Sequence, residues 1–176
     1  MGLRPARTCR SLDKVAWTRY SKKVPRKSFV KALPHNAVSV YVMGQANPAY
    51  DMLFRLVAEE DVQARDNALE SARQAANKYL EKVLQGGYLL RVNVFPHNVI
   101  RENKMILGAG ADRLQKGMRH AYGRPTDRGA RIHAGQTVFS LLTTSEKSDI
   151  AREALRRAKC KLPGKFSIIA TPAGAA

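Results

Sequence analysis

Two kinds of side chain dominate the chemistry this chain of 176 residues offers: cations in large excess, and aromatic rings set among them. Residues 1–35 hold ten basic side chains (Arg4, Arg7, Arg10, Lys14, Arg19, Lys22, Lys23, Arg26, Lys27 and Lys31) against Asp13 alone, with Trp17, Tyr20 and Phe29 between them. A guanidinium or ammonium group neutralises a phosphate, and a flat ring stacks on an unpaired base. Cations interleaved with rings therefore suit single-stranded or irregular RNA. The alternative, that some of these rings pin the segment to the protein's own core, stays open ring by ring. A second cationic run holds Arg113, Lys116, Arg119, Arg124, Arg128 and Arg131 against Asp112 and Asp127. Glycines at 108, 110, 117, 123 and 129 punctuate it, and glycine lets a backbone approach a ligand closely.

Catalytic chemistry has weaker support. His35, His97, His120 and His133 fit no HExxH pattern, and Cys9 and Cys160 have no metal-ligand spacing around them. No GxSxG elbow is present. Gly108-Ala109-Gly110 lacks the remainder of a Walker loop and of a dinucleotide fingerprint. Acidic residues concentrate between 59 and 81, where a helix would turn them to solvent. The expectation is a non-enzymatic protein with no cofactor and no metal. No run of about 18 apolar residues exists to cross a membrane, and the N-terminus lacks a signal peptide's apolar middle, so a cytoplasmic location is expected.

The charge is unevenly placed. The formal total is +17, yet residues 36–95 carry six basic and seven acidic side chains. Residues 96–135 carry eight against three, and 136–176 seven against three. A near-neutral body thus bears a basic arm at 1–35 and a basic second half, and self-repulsion favours an extended arm. Alternation predicts strands over 36–43 and 88–95, a continuous apolar run predicts a more fully buried one over 52–57, and strand character resumes over 131–133, 137–142 and 166–170, with a further candidate in Val99 to Leu107. Spacing by threes and fours predicts one helix over 59–84, stopped by Gly86 and Gly87. A second is predicted over 146–160, capped by Thr144 or Ser145. Residues 108–129 read as a glycine-rich basic loop within a single domain at 36–176. The implied fold is α+β: a two-layer α/β sandwich, a mostly antiparallel sheet with two helices on one face, plus the extended basic N-terminal arm.

The run from Pro96 to Gly135 is specific. Pro96-His97, Asn103-Lys104, Gly108-Ala109-Gly110-Ala111-Asp112-Arg113, Gly117-Met118-Arg119, Gly123-Arg124-Pro125 and Ala130-Arg131 resemble the universal L-sixteen family of large-subunit ribosomal proteins, called L-ten-e in archaea and eukaryotes. Glu153-Ala154-Leu155-Arg156-Arg157-Ala158, Arg4-Pro5-Ala6-Arg7 and Ala16-Trp17-Thr18-Arg19 extend the resemblance over residues 4–170. It implies a structural constituent of the large ribosomal subunit, bound to rRNA near the peptidyl transferase centre and helping to position aminoacyl-site tRNA. The implied partners are large-subunit rRNA, that tRNA and neighbouring ribosomal proteins, without homo-oligomerisation. The rRNA-binding residues expected are Arg4, Arg7, Arg10, Lys14, Trp17, Arg19, Tyr20, Lys22, Lys23, Arg26, Lys27, His97, Arg101, Lys104, Arg124 and Arg131. The loop matching the family's tRNA-proximal segment comprises Gly108, Ala109, Gly110, Ala111, Asp112, Arg113, Lys116, Gly117, Met118 and Arg119. Thr126-Asp127-Arg128 departs from the family pattern, and the short TPAGAA tail, without a long basic extension, leans towards an archaeal member. A free-standing RNA chaperone and an RNA-processing enzyme are the rival readings that the same charge allows.

Overall fold

The computed structural model describes residues 23–24, 26, 30, 32–47, 49–103 and 123–173. Eight strands and two helices follow in the order β1 (Val42–Gly44), β2 (Met52–Ala58), β3 (Val62–Arg65), α1 (Asp66–Leu84), β4 (Leu89–Val92), β5 (Asn98–Glu102), β6 (Arg124–Ile132), β7 (Thr137–Thr143), α2 (Ser148–Lys159) and β8 (Phe166–Pro172). They form a five-stranded sheet, β1-β4-β7-β2-β8, and a three-stranded sheet, β3-β6-β5, antiparallel throughout. This is the expected α+β class, with the antiparallel strands divided between two sheets.

Alternation along each strand builds the core. Phe54, Leu56, Leu90, Phe139, Leu141 and Phe166 of the large sheet are fully buried. Helix α2 packs over β2, β7 and β8, while α1 packs against α2 and against β3 and β6. Leu69, Ala72, Ala76, Leu80 and Leu84 form the buried stripe of α1, and Ala151, Ala154, Leu155 and Ala158 that of α2. Alanines on both stripes let the two axes approach closely. Arg157 of α2 lies 3.9 Å above the Tyr79 ring of α1 and ties the pair at its surface. No helix among the described residues is long and apolar enough to cross a membrane.

Outside the hairpin of the small sheet, three elements begin more than one residue later than the sequence predicts. The alternation over 36–43 yields strand only at Val42–Gly44. Asn36 instead closes a local turn, accepting from Val38 N at 3.2 Å and donating to Val38 O at 2.8 Å, and Ala37 N donates to Asp66 Oδ2 at 3.0 Å. Side-chain partners thus replace ladder bonds there. Second, α1 starts at Asp66, because Val62–Arg65 pairs with β6 before the helix begins. The acids expected to open the helix anchor turns: Glu60 accepts from Lys165 N at 2.9 Å and Asp61 from Ala134 N at 2.8 Å. Asp66 is buried rather than solvent-facing. Third, α2 begins after a 3-10 turn at Ser145–Lys147 with no side-chain cap; Ser145 N donates to Asp51 Oδ1 at 2.8 Å.

On α2, Glu153 accepts from Arg156 Nε at 2.6 Å and from Arg157 Nε at 2.8 Å. These bonds, Arg156 first, lower its carboxyl from the ordinary 4.5 to about 2. A folded pKa below the unfolded one gives stability that is complete above about 4.5 and lost as pH falls through about 2. Glu153→Gln should therefore flatten the acid limb of a thermal-unfolding profile across that window; superimposable profiles for the two proteins would contradict the assignment.

Candidate nucleic-acid interface

β5 and β6 are the arms of one hairpin, with Glu102 opposite Arg124, so the segment between them connects paired ends. β3 pairs only with residues 129–132 of β6. The half of the hairpin nearest the connection is consequently a two-stranded ribbon running past the end of β3. A two-stranded ribbon is marginal alone, and here three contacts hold it. Arg65 Nη2 donates to Asp127 Oδ2 at 2.7 Å, Arg128 Nε to the Pro34 carbonyl at 2.6 Å, and Thr126 Oγ1 to the Ile100 carbonyl at 3.3 Å. Thr126-Asp127-Arg128, read from the sequence as a departure from the family pattern, thus makes contacts within the fold.

β6 begins at Arg124, so residues 124–129, read from the sequence as the end of the loop, belong to the sheet. Pro125 misleads a local reading, since proline belongs on strand edges or at bulges. It sits opposite Arg101, just past the register shift between Ile100 and Arg101. Gly129 misleads it too. It lies opposite both Arg65 and Asn98, where a Cβ would come within 2.9 Å of Gln63 Nε2 and 3.2 Å of Ile100 Cδ1. The glycine is there because three strands converge, not because the chain turns.

The two faces of the small sheet differ in chemistry. Val62, Ala64, Ala130 and Ile132 point into the common core. Gln63, Arg65, Asn98, Asp127 and Arg131 alternate with them on the other face, and the first three are buried. Asn98 Nδ2 donates to Gln63 Oε1 at 3.3 Å. Of the expected RNA-binding residues, Arg101 is buried at the ribbon, Arg124 is exposed at its end, and Arg131 is half-buried opposite Gln63. These three are brought together in one hairpin, with His97 exposed at its entrance. Lys23 and Arg26 are exposed on a separate segment. Arg4, Arg7, Arg10, Lys14, Trp17, Arg19, Tyr20, Lys22, Lys27, Lys104 and the loop residues Gly108, Ala109, Gly110, Ala111, Asp112, Arg113, Lys116, Gly117, Met118 and Arg119 lie outside the described residues.

Two rings that the sequence reading passed over stand beside His97. Phe95 and His97 have centroids 4.6 Å apart and tilted by 49°, and Tyr41 stacks on Phe95 at 5.7 Å and 23°. Asn36 Nδ2 donates to the Tyr41 hydroxyl at 3.0 Å and fixes the far ring. The sequence signal was available in Phe95-Pro96-His97, whose rings fall on one side of an extended chain.

Comparison with known proteins places these features in one family. The family model for ribosomal protein L16p/L10e matches residues 16–169. A large ribosomal subunit protein uL16 from Methanococcus maripaludis is 41% identical over 172 residues, covering 97% of this chain and 95% of its own. One from Archaeoglobus fulgidus is 40% identical over 154 residues (87% and 88%), and one from Hyperthermus butylicus is 45% identical over 139 residues (78% and 77%).

The ribbon contacts generate a stability prediction. Removing Asp127 leaves the largely buried Arg65 guanidinium without its carboxylate, so Asp127→Ala should cost about 1.5–3 kcal/mol in urea unfolding. It should also speed amide exchange in residues 124–128 more than in α1. Unchanged stability with unchanged exchange would show that the ribbon does not depend on this pair.

Proposed function

The chain belongs to the ribosomal protein L16p/L10e family, and from this premise we propose that it is a structural constituent of the large ribosomal subunit, acting in the cytoplasm. It binds large-subunit rRNA near the peptidyl transferase centre and helps position tRNA in the aminoacyl site. Its relatives are ribosomal proteins rather than enzymes, in keeping with a sequence built around cations rather than catalytic groups. One observation carries the reading furthest: the basic, glycine-rich connection springs from the paired ends of a hairpin whose other half is built into the core. Such a base gives a cationic segment a fixed origin from which to meet a ligand.

The division of labour follows from the charge. Basic residues of the arm neutralise phosphates where rRNA strands converge, and Trp17 and Tyr20 stack on splayed bases. Arg101, Arg124 and Arg131 place further cations at the hairpin, and residues 108–119 reach towards the tRNA. If about ten cations displace counterions, affinity for an rRNA fragment should fall by roughly three to five powers of ten between about 50 and 200 mM salt. A change below about tenfold over the same range would overturn the phosphate account. Deleting residues 110–117 should leave thermal unfolding and subunit incorporation near those of the native chain while impairing tRNA accommodation. Loss of folding would show instead that the segment is part of the scaffold.

A further inference from the structure

We propose that Phe95 and His97, backed by Tyr41, form a preorganised platform on which an unpaired RNA base stacks. The inference rests on the RNA-binding reading above and assigns to it a place and a type of contact. Burial alternates strictly from residue 91 to 97, with Val92, Val94 and Pro96 buried and Arg91, Asn93, Phe95 and His97 exposed. One face of this extended segment therefore presents a cation, an amide and two rings in succession. A single exposed phenylalanine needs no explanation. Three rings in register are different, because each orders the next.

The order is built into the local backbone. His97 N donates to the Phe95 carbonyl at 3.0 Å, closing a three-residue turn centred on Pro96. The fixed φ of proline suits the central position of such a turn, so Phe95 and His97 are held together before any ligand arrives. Tyr41 packs against the core, and Asn36 holds its hydroxyl. The free surface is thus the outer part of the ladder: Phe95 is 40% exposed and His97 is exposed beyond it. Val40 and Val42, 43% and 50% exposed, lie on either side of Tyr41 in the chain, and Val42 opens the edge strand β1. Arg91, opposite Val42, adds a cation on the same row for a neighbouring phosphate.

Base stacking predicts an effect that phosphate neutralisation does not. The full chain is titrated with a short single-stranded RNA carrying one fluorescent purine analogue, and with the same sugar-phosphate strand abasic at that position. Native protein should bind the base-bearing strand about tenfold more tightly and quench the analogue, as expected for one base–aromatic stack. Phe95→Leu keeps apolar bulk at an exposed position but removes the flat ring. It should erase most of the difference between the strands and leave affinity for the abasic strand unchanged, while Phe95→Trp restores the preference. Native protein that binds both strands equally, or Phe95→Leu that keeps the preference, would overturn the platform and leave the RNA-binding reading standing. Failure of native protein to bind either strand would overturn both.

Discussion

The fold depends on the seating of β6 between β3 and β5. At Gly129 three strands meet, and a Cβ there would crowd the Gln63 side chain at 2.9 Å and Ile100 Cδ1 at 3.2 Å. From that point the strand serves two ends. Towards its C-terminus, Ala130 and Ile132 enter the same core as α1 and the large sheet. Towards its N-terminus, residues 124–128 run past the end of β3 and pair with β5 alone. A shift of one residue would turn Arg131 and Asp127 into the core and Ala130 and Ile132 out of it. Core formation and the aim of the hairpin are therefore one register choice.

The second constraint is electrostatic. An excess of seventeen positive charges repels itself in a compact body, and the sequence limits this cost by keeping residues 36–95, which supply α1 and four of the eight strands, almost neutral. Four cations among the described residues are held by carboxylates within the fold. Arg73 is bonded to Glu70, whose carboxyl it lowers; Arg65 is bonded to Asp127; and Arg156 and Arg157 share Glu153. Cations at the arm and in the hairpin connection have few acids beside them in the sequence, so the compensating charge must come from a polyanion. That is the physical content of membership in a ribosomal protein family: rRNA completes the electrostatics that folding leaves open.

Much of this was legible in the sequence, and the misreadings share a cause. β2, β7 and β8 announce themselves through short apolar runs, and α1 and α2 through their apolar stripes, because those signals are local. β3 was hidden inside a helical pattern, since Val62 falls in phase with Leu69 and only its pairing with β6 decides the matter. β6 was hidden by Pro125 and Gly129, residues that signal loops locally but here serve a bulge and a close approach. The candidate site divides in the same way. Residue types showed that this region is cationic, whereas the internal use of Arg65 with Asp127, 62 positions apart, required the register. Tyr41 and Phe95 could be joined only once β1 was laid against β4.

The central claim is that the arm and the basic hairpin connection meet RNA at different places for different ends, permanent anchorage and transient contact. Cross-linking large subunits that carry this chain, with photoreactive groups placed separately in residues 1–35 and in 108–119, tests it most directly. The account predicts that the first set yields rRNA adducts whether or not tRNA is bound, and that the second yields tRNA adducts when the aminoacyl site is filled. Recovery of the chain outside the large subunit, or adducts from both segments that are confined to rRNA and indifferent to tRNA, would contradict it.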